Sequence, residues 1–233
     1  MKYVVAREIW QAYPSLTTGL VVARGIDNAR KAAGVEELLT EAEAYVRSRL
    51  ELSRLAKEPH IASWRSTYSS FGVKPSRYNS AVESLLRRVL KEGSLPRINK
   101  LVDLCNSFSL KSVLPIAAYD LDKVQGDIVI KFAEGHERFL GLGSGEVGFP
   151  APGEVIYTDQ VEALSRRWNW RECDKAKVLD TTRNVLLTVE GIKQIGREVV
   201  EETTRQLSVE VQKFCGGSVC HFLLDKENQE AEF

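Results

Sequence analysis

The sequence lacks an excess of charge of either sign, because 32 Lys and Arg residues balance 32 Asp and Glu residues among its 233. A protein that coats nucleic acid over its whole surface would be basic, so any RNA contact must depend on a local patch. Cysteine is also scarce. Cys105, Cys173, Cys215 and Cys220 are unevenly spaced, which argues against a disulfide scaffold and favours reduced thiols in a cytoplasmic protein.

Long apolar segments are absent as well. The longest uncharged apolar run, residues 113–119, covers about a third of the length that spans a bilayer. Residues 1–8 contain no apolar stretch of the length found in signal peptides. We therefore expect a cytoplasmic protein that has no contact with a membrane.

The composition is that of an ordinary globular protein, with 43% hydrophobic and 27% charged residues. Apolar periodicity predicts helices over residues 36–57, 81–91, 98–111 and 194–214, and a turn-rich stretch over 66–78. Strands are predicted at 17–23, 127–132, 138–140, 154–157, 185–190 and 219–224. Because helices and strands do not alternate regularly, the pattern indicates an α+β fold and not a doubly wound sheet.

The charge is unevenly distributed along the chain. Residues 65–111 contain nine basic and three acidic residues, which gives this segment a net charge of +6. We interpret it as the segment that contacts an RNA backbone. The basic residues assigned to this contact are Arg65, Lys74, Arg77, Arg87, Arg88, Arg97 and Lys100.

Several motifs for common chemistries are too weak to support an assignment. The glycines at 141, 143 and 145 lack the spacing of a dinucleotide fingerprint and fit a tight strand connection. Cys215, Cys220 and His221 lack the spacing of zinc ligands. No Ser-His-Asp or Cys-His arrangement is recognisable around the three histidines. No metal and no cofactor are expected.

Residues 166–171 form a dense cluster of three arginines and two tryptophans around Asn169. Such stacking faces and cationic forks bind single-stranded RNA ends and aminoacyl groups. A strand edge with inward tryptophans and solvated arginines explains the composition equally well, and both interpretations stay open.

Five short motifs occur in an order that resembles a known family: PRINKLVDLCN at 96–106, LPIAAYD at 114–120, GDIVI at 126–130, VIYTD at 155–159 and DTTRNVLL at 180–187. Together they resemble the B3/B4 domain, the editing module of the bacterial-type phenylalanyl-tRNA synthetase β subunit. The resemblance implies an α+β fold with mixed and antiparallel sheets flanked by helices. It divides the chain into a strand and helix extension packed on the core (1–60), a B3/B4-like domain (61–225) and a frayed acidic tail (226–233).

The resemblance also implies an activity. The family domain hydrolyses the ester of wrongly charged tRNA without a metal, using water held by main-chain groups and polar side chains. Asn106 matches the family motif, while Cys105 stands at a threonine position, Ala117 at a histidine position and Thr188 at the position of a specificity glutamate. Glu190 lies two residues further along and faces the same side of a regular strand.

The resemblance assigns roles to individual residues. Asn106 and Glu190 are the expected catalytic groups: Asn106 orients water or substrate, and Glu190 binds the α-amino group or acts as a base. The expected substrate-binding residues are Cys105, Ala117, Thr188, Trp168, Asn169, Trp170 and Arg171, and Arg171 would neutralise a terminal phosphate. Since the histidine and the glutamate are replaced, selection of a tyrosyl hydroxyl is not expected.

The sequence thus favours a freestanding, trans-acting editing hydrolase that deacylates mischarged tRNA and binds its aminoacylated 3′ end. A noncatalytic module that kept the fold, binding RNA or sensing an amino acid, is the alternative, and Ala117 favours it. A different enzyme on the same scaffold is a third possibility. The chain is too short to add the catalytic domain of a complete synthetase, and no protein partner is assigned.

Overall fold

The computed structural model describes residues 1–29 and 32–233, which form six α-helices and twelve β-strands. The helices are α1 (Arg7–Ala12), α2 (Ala33–Arg49), α3 (Pro59–Ser70), α4 (Ala81–Glu92), α5 (Lys100–Ser112) and α6 (Arg197–Cys215). The strands are β1 (Lys2–Val5), β2 (Thr17–Arg24), β3 (Ile116–Asp120), β4 (Ile128–Phe132), β5 (Phe139–Leu140), β6 (Val147–Gly148), β7 (Val155–Thr158), β8 (Ala163–Arg166), β9 (Arg171–Glu172), β10 (Asn184–Gly191), β11 (Ser218–Leu224) and β12 (Glu230–Glu232).

Two sheets build the core. A four-stranded sheet in the order β11-β2-β10-β3 is antiparallel throughout. A six-stranded sheet in the order β12-β1-β4-β7-β8-β9 is mixed, because β1 and β4 run parallel while its other pairs are antiparallel. Strands β5 and β6 form a separate hairpin. These sheets and the flanking helices confirm the predicted α+β fold.

Strand β10 is covered on both faces, which explains why nearly all of its side chains are buried. Val189 pairs with Gly19 of β2, where an added Cβ would lie 1.8 Å from Thr204 Oγ1 of α6. The face that includes Val189 therefore packs against α6. The alternate face, which carries Thr188 and Glu190, points toward the six-stranded sheet. A strand between a helix layer and a second sheet has to bury nearly every side chain, polar ones included.

The helices of the basic segment begin and end within two residues of the predicted ranges 81–91 and 98–111. The Ser80 hydroxyl accepts the Glu83 N–H at 3.4 Å at the start of α4, and Gly93 ends the helix with φ 86°. Asn99 caps α5 by accepting the Val102 N–H at 3.0 Å. These side-chain caps satisfy N–H groups that a helix start leaves unpaired, so local chemistry suffices to place both helices. The prediction of helices here and at 194–214 is confirmed.

Two helices were not predicted. Glu58-Pro59 begins α3, where it was expected to end a helix, because the Glu58 carboxylate accepts the Ile61 N–H at 2.8 Å and Pro59 occupies the first helical turn. The expected turns at 66–70 are therefore helical. The short helix α1 lies in a region for which the sequence predicts no helix.

Both ends of the chain join the six-stranded sheet. Strand β12 pairs antiparallel with β1, and Lys2 Nζ lies 2.8 Å from Glu230 Oε1. The tail expected to fray from residue 226 is thus paired where it reaches β12. Strand β1 belongs to the six-stranded sheet, and β2 lies between β10 and β11 in the four-stranded sheet. The first 60 residues therefore supply strands to both sheets. Among the described residues, none of the helices combines the length and hydropathy of a membrane span.

Candidate functional site

Glu190 lies at the centre of a hydrogen-bond network between the two sheets. Its carboxylate is closed to solvent, with 1% of the residue exposed. It accepts the Tyr157 hydroxyl at 2.6 Å, the Trp168 indole N–H at 2.7 Å and the Asn169 amide N–H at 3.1 Å. Burial raises the pKa of Glu190, while the three donors oppose that shift by favouring the ionised form. The carboxylate therefore ties β10 to the opposite sheet and to the β8–β9 turn.

The β8–β9 turn is held in an uncommon backbone conformation. Arg167 and Trp168 have φ values of 49° and 63°, in the left-handed region. A left-handed conformation at a non-glycine residue costs about 1–3 kcal/mol and persists only where surrounding contacts hold the residue in place. Here the Trp168 ring meets Tyr13 and Trp64 edge-on, with centroids 5.0 and 5.4 Å apart. Core packing and the bond to Glu190 hold the turn, which points Trp168 inward.

This packing bears on four of the predicted site residues. Trp168 and Thr188 are 0% exposed and Asn169 is 7% exposed, so all three belong to the interior with Glu190. The Thr188 hydroxyl has no hydrogen-bond partner within the described part of the chain. The structure brings these residues together, but it places Glu190 behind Trp168 and not at a surface that an aminoacyl ester reaches. Its observed position is a supporting one.

A second carboxylate lies at the free edge of the four-stranded sheet. Strand β3 is the outer strand there, and the Ala118 N–H points away from β10 to donate to Glu172 Oε1 at 3.4 Å. Ala117 and Ala118 are each 9% exposed, and Cys105 of α5 is 5% exposed. Burial, and to a lesser extent the nearby charge of Glu172, raise the pKa of the Cys105 thiol. We call Cys105, Ala117, Ala118 and Glu172 the β3-edge site.

Glu172 has the properties of a proton acceptor that works near neutral pH. Its side chain is partly open to solvent, yet protein surrounds the carboxyl group, and burial raises its pKa to about 7. The long bond from Ala118 N–H offsets little of this shift, and no ion pair to Glu172 exists among residues 1–29 and 32–233. Carboxylates perturbed in this way concentrate at functional sites.

The sequence analysis did not single out Glu172, because this residue follows several arginines and looks like an ordinary surface charge. The available signal was the alternation along β9, where an outward Arg171 implies an inward Glu172. Asn106, the next residue after Cys105 on α5, is half-buried, and its side chain makes no hydrogen bond within the described residues. Its amide is therefore free to bind a ligand or water.

On the outside of the β8–β9 turn, arginines and aromatic rings stack on one another. The Arg167 guanidinium carbon lies 3.8 Å from the centre of the Tyr78 ring and 4.5 Å from that of Trp170. Arg77 lies over Tyr78 at 5.3 Å, and Arg171 over Trp170 at 5.9 Å. We call these five residues the arginine–aromatic surface. It brings together three residues that the sequence assigned to RNA or substrate, and the exposed Lys74 lies on the turn that precedes Arg77.

Of the other five predicted RNA contacts, Arg88 is exposed, and the remaining four are partly or fully buried. Buried carboxylates need a partner, and several of these cations serve that purpose. Lys100 is 7% exposed. The remaining four are paired: Arg65 and Arg87 with buried Glu83 (2.9 and 2.7 Å), Arg97 with buried Glu43 (2.6 Å) and Arg88 with Glu92 (2.9 Å). The basic segment thus forms no continuous patch within the part of the chain that the structure describes.

A groove of about 830 Å³ runs between α5 and α6. Its apolar lining includes Phe108 and the partly exposed Val199 and Val209. None of the predicted catalytic or substrate-binding residues lines it, so this groove is separate from the β3-edge site.

Comparison with known proteins gives consistent matches. The model of the B3/4 domain family matches residues 63–213. The phenylalanine–tRNA ligase beta subunit of Pectobacterium atrosepticum is 31% identical over 115 residues, which are 49% of this chain and 14% of that protein. The corresponding subunit of Francisella tularensis is 26% identical over 133 residues, 56% of this chain and 17% of that protein. An N-terminal fragment of the phenylalanyl-tRNA synthetase beta subunit from Pyrococcus horikoshii matches 95% of this chain and 53% of that chain, with 14% identity and a TM-score of 0.46.

Proposed function

The chain belongs to the B3/4 domain family, and we propose that it hydrolyses the ester bond of mischarged aminoacyl-tRNA in trans. The curated relatives are beta subunits of phenylalanine–tRNA ligase, and the match spans 14–17% of their length. Neither the catalytic machinery of a ligase nor its partners are therefore implied. The proposal is for the editing reaction alone, with tRNA as the partner.

The observation that carries this proposal is the Glu172 carboxyl group at the edge of β3. With a pKa of about 7, a large fraction of it is ionised at neutral pH, and it can take a proton from water. The hydroxide formed attacks the ester carbonyl carbon, the bond to the ribose oxygen breaks, and that oxygen takes the proton back from Glu172. An aminoacyl ester is activated enough that no side-chain nucleophile is needed.

Neighbouring groups supply the positioning. The Ala118 N–H, held weakly by Glu172 at 3.4 Å, is placed to donate to the developing oxyanion. Asn106 orients the attacking water or the substrate. Cys105 places a small, weakly polar side chain near the carboxylate, which suits a compact aminoacyl group. Glu190 acts indirectly, because its hydrogen bonds hold the turn that precedes β9.

A noncatalytic binding module is the second candidate. It is favoured by Ala117, which places no functional group at the sheet edge, and by the burial of Glu190 with all of its hydrogen bonds made inside the protein. Such a protein would bind tRNA or an amino acid without turning it over. The two candidates differ in a single measurable property, the release of amino acid.

The test is deacylation of a panel of mischarged tRNAs by the wild type, Asn106→Ala and Glu172→Gln, with Glu146→Gln of the exposed 141–146 loop as the matched control. Removing a general base slows a reaction by about 10²–10⁴-fold. We expect that loss for Glu172→Gln, a smaller loss for Asn106→Ala, and none for the control. In the wild type, the rate should rise about tenfold per pH unit below pH 7 and then level off. If no tRNA is deacylated although tRNA binds, the protein is a binding module.

A further inference from the structure

The arginine–aromatic surface has the composition of a stacking site for single-stranded nucleic acid. Arg167 packs against the Tyr78 and Trp170 rings, which meet edge-on at 5.0 Å. This arrangement fixes Trp170 through its neighbours while the side chain stays partly exposed. A partly exposed indole that its neighbours hold in place stacks on a nucleobase at little cost in conformational entropy.

The charge of this surface favours an anionic ligand. Arg167 shares Glu154 with Arg166, at 3.4 and 2.9 Å, so one carboxylate faces two guanidinium groups. Burial, together with the like charges of Arg166 and Arg77, lowers the pKa of Arg167 even though Glu154 opposes the shift. Arg77 and Arg171 make no ion pair within the described residues. Phosphate groups would relieve this excess of positive charge.

The surface adjoins the β3-edge site. Arg171 and Glu172 are consecutive residues of β9, so their side chains point to opposite sides of the strand. RNA lying across the outside of the β8–β9 turn is thereby brought to within one residue of Glu172 along β9. The Arg171 guanidinium donates to the Leu142 carbonyl at 2.8 Å, which steadies it along this path.

We propose that the arginine–aromatic surface binds the single-stranded 3′ end of the RNA, with a nucleobase stacked on Trp170 and phosphates contacted by Arg77 and Arg171. The inference rests on the proposed function for the identity of the RNA, but binding and hydrolysis are measured separately. An acidic peptide would satisfy the arginines but would not need the indole face. The aromatic contribution therefore distinguishes the two ligands.

The test is binding of a fluorescein-labelled single-stranded oligoribonucleotide ending in CCA, measured by anisotropy over a range of salt concentrations. Stacking on an aromatic side chain is worth about 1–3 kcal/mol per base, so Trp170→Ala should weaken binding by about 5- to 150-fold. Arg77→Gln should reduce the slope of log K against log salt by about 0.7. The matched control is Tyr45→Ala, because Tyr45 is an exposed ring with Arg49 over it at 5.4 Å.

Intrinsic fluorescence provides a second readout. Trp10, Trp64 and Trp168 are 4%, 0% and 0% exposed, so the indole available to quenching by a bound base is that of Trp170. We expect the oligonucleotide to quench the wild type and to leave Trp170→Phe unquenched. A polyglutamate peptide that binds as tightly as the oligonucleotide, or a Trp170→Ala variant with wild-type affinity, would overturn the proposal.

The outcomes separate this inference from the proposed function. If the oligonucleotide binds through Trp170 and no mischarged tRNA is deacylated, the stacking site stands and the hydrolase does not. If deacylation occurs and Trp170→Ala leaves KM unchanged, the hydrolase stands and the stacking site does not. Both are supported if KM rises in Trp170→Ala while kcat is kept.

Discussion

Replacing Glu172 with glutamine tests the central electrostatic argument without any substrate. The folded protein raises the pKa of this carboxyl group from 4.5 to about 7. A raised carboxyl pKa means that the folded state binds the proton more tightly than the unfolded state does. Stability from this group is thus complete below about pH 4.5 and is lost as pH rises to about 7. A glutamine amide has no charge to bury, so the variant escapes this loss.

The magnitude follows from the shift. At 1.36 kcal/mol per pKa unit, a rise in pKa from 4.5 to about 7 corresponds to about 3 kcal/mol, reached when pH is well above 7. Glu172→Gln should therefore gain up to about 3 kcal/mol over the wild type at pH 8.5 and little at pH 4.5. A gain of stability with a loss of deacylation is the pattern of a residue kept for function.

The assay is urea unfolding of both proteins at pH 4.5 and 8.5. Comparing the wild type with the variant at each pH cancels the titration of every other group, including Glu190. Glu146→Gln, in an exposed loop, shows the effect of losing an ordinary carboxylate and should change neither value by more than about 0.5 kcal/mol. A stability difference that is the same at both pH values would refute the assignment of a buried, unpaired carboxyl group.

Two further predictions concern the buried polar contacts. Trp168→Phe removes one of the three donors to Glu190 and should destabilise the protein by about 2–3 kcal/mol in urea unfolding, more at high pH, where Glu190 is ionised. Arg97→Ala leaves Glu43 buried without its partner and should cost about 3 kcal/mol at pH 7. Burial by itself would raise the pKa of Glu43, but pairing with Arg97 lowers it. The loss of stability in Arg97→Ala should therefore shrink as pH falls below about 4 and Glu43 becomes protonated. If Arg97 instead contacts RNA, the variant will lower the salt slope of oligonucleotide binding.

Local signals in the sequence predicted those parts of the fold that local chemistry decides. Ser80 caps the start of α4 and Gly93 ends it with a left-handed backbone, and such signals need no partner distant in sequence. The same is true of the resemblance around Asn106, since short motifs are contiguous. Where a local signal has two meanings, prediction failed: Glu58-Pro59 can end one helix or begin another.

The candidate site was predicted in part. The sequence singled out Cys105 and Ala117, which the structure places at the β3 edge, and Trp170 and Arg171, which lie on the outer surface of the turn. It could not show that Trp168 points inward while Trp170 points outward, because two left-handed residues reverse the expected alternation. It also could not separate Glu172 from a solvated charge, since nothing in the sequence next to that residue reveals the strand edge against which its carboxyl group lies.

The sequence by itself determined the α+β class, the family and the residues available for chemistry, because composition, capping and contiguous motifs are properties of the chain. The tertiary structure alone decided which of two carboxylates has the environment of a proton acceptor. Glu190 accepts three donors, Tyr157 of β7 and Trp168 and Asn169 of the β8–β9 turn, whereas Glu172 is buried beside a single weak donor on β3. That difference arises from groups distant in sequence, and burial and hydrogen bonding between such groups set a pKa.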